Sequence, residues 1–298
     1  MTSKSKNGVS LWSIALPVVF CAAFGAGITQ QLGYFDPRAA ATVAEPQTVT
    51  IPAGAFRYRD HGEFFRAGYA VDAPVVEDRA AVPLRIMKYQ VTEQEYARCV
   101  AAAKCRPVAA AHIHGDGYPV TGVSYDDATD YAAWLSAATG EVWHLPSHEQ
   151  IAHAAGSKFP DDALGVDTDD RNPAIRWLAD YEREAKRKAE SDPDPRQSGQ
   201  YGENEYGLAD FGGNVWEWTT TCQRRIDLAD AAGAAISTCG IYVTVGLHRS
   251  PMSAFVRDPK TGGCSVGAPP ANLGFRLIRD DRWYADLLMR LRDRGILS

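Results

Sequence analysis

The stretch "GLADFGGNVWEW", residues 207–218, restricts the fold more than any other part of the chain. It sets two tryptophans around Glu217, a glycine pair that breaks any regular element, and Asp210 and Asn214 within the turn. Trp216 and Trp218, two residues apart, fall on one face of an extended segment, which predicts core positions. The acidic residues admit two readings. A calcium ion takes roughly six to eight hard oxygens at about 2.3–2.6 Å. Asp210 and Glu217 supply the charge for one, while Gly213 and its neighbours let backbone carbonyls turn inward. In the second reading Asp210 caps a turn and Glu217 pairs with an arginine such as Arg276.

The chain around this motif is rich in Gly, Asn and Asp and poor in periodicity from Gly199 to Gly274, which predicts ordered loop over most of the second half. Such loops need staples. Cys99, Cys105, Cys222, Cys239 and Cys264 are available for that task. Cys99 with Cys105 is the first expected disulfide, because a short helix-to-loop closure is sterically easy, and Cys222 with Cys239 is the second. Cys264 is left over, either as a reactive thiol or as a buried, inert one.

The first half carries clearer local signals. "TVTIPAGAFRY" reads as strand, turn, strand, and "PLRIMKYQ" at 83–90 as a further strand. Three helix starts share one signature, a hydroxyl N-cap with an acidic or amide side chain three residues on: Thr92 with Glu95, Ser124 with Asp127, and Ser147 with Gln150. The middle helix aligns Ala128, Tyr131, Ala132 and Leu135 on one face. Residues 177–191 read as a solvated helix with i,i+4 charge pairs. The tail aligns Trp283, Leu287 and Leu291 as an amphipathic helix that packs back on the domain.

At the N-terminus Lys4 and Lys6 precede an almost uncharged run from Val9 to Ile28. At about 1.5 Å per helical residue the run covers roughly 30 Å, the thickness of a bilayer core. The expectation is a single-pass anchor with a cytoplasmic N-terminus, or a cleaved signal; either one exports the remainder of the chain. The organisation expected is a cytoplasmic 1–7, an anchor or signal at 8–30, a linker at 31–46, a domain at 47–281 and a C-terminal amphipathic helix at 282–298. The expected localisation is therefore the periplasmic side of the inner membrane, or the periplasm or exterior after cleavage. The net charge of −6 and the lack of a basic stripe argue against nucleic acid as a partner.

"IPAGAF", "YQVTEQEY", "YPVTGVSYDDATDYAAWL", "VWHLPSHEQIAHAAG", "YGLADFGGNVWEW" and "ANLGFRLIRD" occur in the order and rough spacing of one family. Across 47–280 the chain resembles the formylglycine-generating enzymes, also called sulfatase-modifying factors. The resemblance implies an α+β fold related to C-type lectins, with little regular secondary structure. It also implies a structural calcium held by the Asp210 and Glu217 side chains and the Gly213 and Val215 carbonyls. The enzymes of the family oxidise a substrate cysteine with O₂ at a copper(I) ion held by two thiolates, soft ligands for a soft ion.

Those thiolates belong to a late loop, which here reads "VTVGLHRSPMSAFVRDPKTGGC" and has no cysteine around His248 to Ser253. Copper of the family's kind therefore has no expected site. His248 with Met252 is a weak substitute for it. His144, His148 and His153 make a poor zinc set, because a helix starting after Ser147 turns 148 and 153 to different faces. The leading expectation is an exported accessory or maturation factor that binds a protein partner, similar to the accessory proteins encoded with copper nitrite reductases (NirV-like). The alternative is an enzyme that modifies an exported polypeptide through a remodelled site near His248, Met252, Arg257 and Cys264.

Overall fold

All three hydroxyl-led signatures open helices. Helix α1 (Glu93–Ala101) starts at Thr92, α2 (Tyr125–Thr139) at Ser124 and α3 (His148–Ala155) at Ser147, each with both halves of its capping box in place. A cap of this kind stabilises its helix by about 1 kcal/mol, which matters for segments this short. The expected face of α2 is the buried one, with Ala128, Tyr131, Ala132 and Leu135 all inside. Gly140 ends the helix in the left-handed conformation at φ 74°.

The computed structural model describes residues 43–66, 68–163, 178, 181–182, 185, 194–229, 236–259 and 272–293. The expected anchor, Cys264, most of the 177–191 helix and most of the 31–46 linker lie outside them. Among the described residues no helix is long and apolar enough to cross a membrane. The chain divides into two compact units, 41–281 and a second comprising 1–40 with 282–298. In the second, Ala285–Asp293 is helical where the amphipathic tail is expected.

Within 41–281 the fold is mixed α/β and mostly sheet. In chain order the strands are β1 (Thr48–Ile51), β2 (Gly54–Arg59), β3 (Glu63–Arg66), β4 (Tyr69–Val71), β5 (Val75–Ala80), β6 (Leu84–Met87), β7 (Trp143–His144), β8 (Trp216–Asp227), β9 (Ile236–Val245), β10 (Arg249–Ser253), β11 (Leu273–Gly274) and β12 (Ile278–Arg279). One antiparallel sheet runs β1-β6-β12-β7, and β2 and β5 form a separate ribbon. The largest sheet runs β10-β9-β8-β3-β4, with β11 added in parallel to β8.

The expectation of loop across the second half is corrected here. The β8 and β9 strands, 12 and 10 residues long, form its longest regular feature. They escape the alternation test because the first four residues of β8 are buried on both faces, so no polar residue marks a solvent side. The ladder is also irregular, with register shifts on either side of Cys222. Gly240, at φ 101°, lies in the widened stretch of β9. The disulfide Cys222–Cys239 staples the two strands there, and Cys99–Cys105 closes the end of α1. Both expected pairings are present.

Two buried clusters flank this framework. In one, Tyr96, Tyr131, Phe275, Trp216, Trp218 and Met252 pack between α1, α2 and the β8 sheet. In the other, Ile51, Ile86, Ile151, Leu208, Phe211 and Val245 pack between α3, the first sheet and the 207–211 loop. Both tryptophans of the opening motif are thus core residues. Their indole N–H groups are satisfied by the carbonyls of His248 and Val123 at 3.0 and 2.9 Å.

Candidate functional site

The motif loop is built around Glu217. Pairing of β11 with β8 sets Gly274 beside Glu217 and brings the next-but-one residue, Arg276, onto its carboxylate. Arg276 Nε donates to Glu217 Oε2 at 2.6 Å and Nη2 to Oε1 at 2.7 Å, with both side chains wholly buried. Gln90 donates to Oε1 as well, at 2.8 Å. The guanidinium also donates to the carbonyls of Lys88 and Ala209, both at 2.9 Å, and of Met87 at 3.3 Å. A buried arginine of this kind is tolerable only when its charge and its donors are matched together, as they are here.

Asp210 adopts φ 61°, a conformation that short polar residues enter most readily. Its carboxylate accepts the backbone N–H groups of Gly199 and Tyr201. Gly213 lets the Tyr201 ring close over the turn, because a Cβ there meets that ring at 2.4 Å. Gly274 similarly admits the Val120 carbonyl, 2.8 Å from where a Cβ would be. The glycines of "GGNVWEW" and "LGFR" thus mark close approaches.

Both readings of the acidic pair bear on this geometry. The turn around Asp210 and the Glu217–Arg276 pair are both present. In chemistry the donors suit calcium: Glu217 Oε1 is filled by two donors, while Oε2 and each Asp210 oxygen hold one and keep a lone pair. Calcium would be held there by these carboxylates with the Gly213 and Val215 carbonyls, and would add a hard cation to bind the loop.

Of the residues named as a remodelled catalytic site, the three described ones, His248, Met252 and Arg257, do not converge. His248 lies in the turn between β9 and β10, its ring edge-on to Trp216 at 5.3 Å. Met252 sits further along β10, 1% exposed and part of the aromatic core cluster. At about 3.3 Å per strand residue their Cα atoms are roughly 13 Å apart, too far to share one ion. Arg257 is framework. Its Nε and Nη2 reach Asp127 at 2.7 and 2.6 Å, and Nη1 reaches the Pro107 carbonyl at 3.0 Å. Asp127 also closes the capping box of α2 and accepts from Arg106, so Arg257 ties a loop to a helix start.

Thiolate chemistry fares no better. Of the six cysteines, four are locked in disulfides, leaving Cys21 and Cys264, both outside the described residues. Among the described residues no cysteine is free. His144, His148 and His153 also stay apart: His144 Nδ1 is 2.9 Å from the Leu145 carbonyl oxygen, and His153 stacks on Phe56 at 4.5 Å.

The sequence model described as the sulfatase-modifying factor enzyme 1-like domain (FGE-sulfatase) matches residues 34–281, and so reaches into the segment read as linker. The chain belongs to that family. Among solved structures it is similar to PvdO from Pseudomonas aeruginosa, at 19% identity and a TM-score of 0.51, over 82% of this chain and 100% of that one. CarF aligns at 16% identity and a TM-score of 0.44, over 80% of this chain and 99% of that one. At 19% identity the likeness to PvdO concerns the fold alone. A search of curated proteins returns no match.

Proposed function

We propose that this family member is an exported, membrane-anchored accessory or maturation factor that binds a protein partner and does not carry out copper-dependent cysteine oxidation. One observation carries the reading: the 248–257 segment, half of it strand β10, holds no thiol, and two of its functional-looking residues are committed to the framework. Met252 is core, and Arg257 is bound to the buried Asp127. What remains is a rigid, disulfide-stapled domain displaying loops, a form suited to recognition. The two disulfides favour an oxidising compartment, consistent with export through the apolar run at 9–28. The partner class we favour is an exported polypeptide, such as a periplasmic reductase. Calcium at Asp210 and Glu217 belongs to the same proposal as a structural ion.

The test is direct. The purified full chain is loaded with copper(I) and offered a cysteine-containing sulfatase peptide under O₂. No aldehyde is expected, whereas turnover at a useful rate overturns the reading. Affinity capture from membranes then asks for the partner, expected to be one exported protein recovered in stoichiometric amount.

A further inference from the structure

His148 opens α3 and is completely buried, yet neither ring nitrogen has a hydrogen-bond partner. Its backbone N–H is satisfied by Thr221 Oγ1 at 2.9 Å, so the residue is well anchored and only its imidazole lacks partners. Buried polar atoms are left without partners rarely, and an unmodified neutral imidazole needs one acceptor and one donor. The ring is walled by Tyr58 and Phe159 at 5.5 and 5.3 Å, and its third neighbour is a second histidine, His61, at 5.0 Å.

His61 is 6% exposed and also lacks a hydrogen bond at Nδ1. That nitrogen lies 3.9 Å from Glu149 Oε1 and 3.3 Å from Asp60 Oδ1. One ligand atom from each of His61, His148 and Glu149 can be chosen so that all three lie within 4.8 Å of one another. The loop carrying His61 is fixed from outside: Arg224 pairs with Asp60 and donates to the His61 carbonyl at 3.2 Å, and a Cβ at Gly62 would meet Arg224 at 2.7 Å.

We propose that His61, His148 and Glu149 form a binding site for a borderline divalent transition-metal ion, zinc in the first instance, with a fourth position left open. Two imidazoles and one carboxylate are the donors that zinc prefers, and they discriminate against calcium and magnesium, which want oxygen alone. Zinc–ligand bonds of about 2.0–2.2 Å require the three groups to draw somewhat closer. Glu149, 36% exposed at its side chain, has the freedom to do so. Asp60 Oδ1, 3.3 Å from the same His61 nitrogen, puts a second carboxylate beside the site. The nearby cations are already matched, Arg224 by Asp60 and Arg249 by Asp162. The site shares no residue with the Asp210–Glu217 loop or with the 248–257 loop, and stands or falls independently of the accessory role.

The experiment uses the full chain, stripped with chelator, reloaded with Zn(II), dialysed and analysed for zinc per chain, with Co(II) as a spectroscopic stand-in. Wild type is expected to retain one zinc, to show the visible bands of low-symmetry cobalt, and to melt at a higher temperature with zinc than without. His61→Gln should lose the ion, and Glu149→Gln should bind at least about tenfold more weakly. Because Glu149 lies at the surface, its variant decides the matter where His61→Gln fails to fold. His148→Phe, which removes the unpartnered nitrogens, should fold and be insensitive to zinc. Substoichiometric zinc in wild type, or equal zinc in wild type and Glu149→Gln, overturns the proposal.

Discussion

Arg276 and Glu217 meet through two hydrogen bonds of 2.6 and 2.7 Å, and neither side chain keeps any contact with solvent. Removing one partner leaves an uncompensated charge in the core. Arg276→Met alone, or Glu217→Gln alone, should destabilise the domain by about 3–5 kcal/mol, whereas the double replacement Arg276→Met with Glu217→Leu should recover much of that loss. Urea denaturation of the three variants checks this, and additive losses would contradict it.

Calcium binding at the same loop has its own signature. Added calcium should raise the melting temperature of the wild type, with chelator reversing the gain, and Asp210→Asn should abolish the response. Asp210→Asn keeps an acceptor for only one of the two N–H groups, of Gly199 and Tyr201, and should itself cost about 1–3 kcal/mol, so the readout is the loss of the calcium-dependent shift and not the melting temperature alone.

The glycine at 213 is a packing requirement. Gly213→Ala drives a methyl group into the Tyr201 ring and should cost about 1–3 kcal/mol. Tyr201→Ala, which removes the obstructing ring, should lessen the additional cost of the alanine when the two changes are combined. Melting temperatures of the single and double variants make the measurement.

Asp127 predicts an acid limit. Burial alone pushes its carboxyl up, but hydrogen bonds from Arg257 and Ser124 outweigh that and hold the pKa below its usual value. A carboxylate with a lowered folded pKa contributes stability that is fully present above its unfolded value, about 3.9, and is lost as pH falls through the folded value. Asp127→Asn should therefore cost about 3 kcal/mol at neutral pH and progressively less below pH 4. Chemical denaturation at several pH values tests it, and a pH-independent cost would contradict it.

The disulfide between Cys222 and Cys239 crosses the irregular part of the longest hairpin, 17 residues apart in sequence. Replacing both cysteines by serine should lower stability by about 3 kcal/mol, somewhat more than opening the shorter Cys99–Cys105 loop. Guanidinium titration of each double-serine variant gives the comparison.

Local signals are readable in the sequence wherever a few neighbouring residues decide the outcome. Thr92, Ser124 and Ser147 each announce a helix through an atom three residues away, and the Cys99–Cys105 closure is equally local. The β8–β9 hairpin is hidden because burial of Trp216 to Thr219 on both faces erases the alternation that marks a strand. Strands β3, β4 and β5 are hidden too, being short and largely exposed or mixed in polarity. At the motif, the Glu217–Arg276 pairing is one of the two readings the residues allow, while the contributions of Gln90 and of the Lys88 carbonyl have no sequence signal, since they come from a distant turn. His148 groups along the chain with His144 and His153, but the histidine against it is His61, 87 positions upstream, which no spacing rule connects.

Arg276 collects carbonyls at 87, 88 and 209 and the carboxylate at 217, so its partners are all synthesised before it. A growing polypeptide that has not yet emerged beyond this position carries Glu217 with no countercharge. The final architecture must therefore await synthesis of this position, and a product cut short upstream of "GFR" has no means of closing its interior and should be cleared by proteolysis.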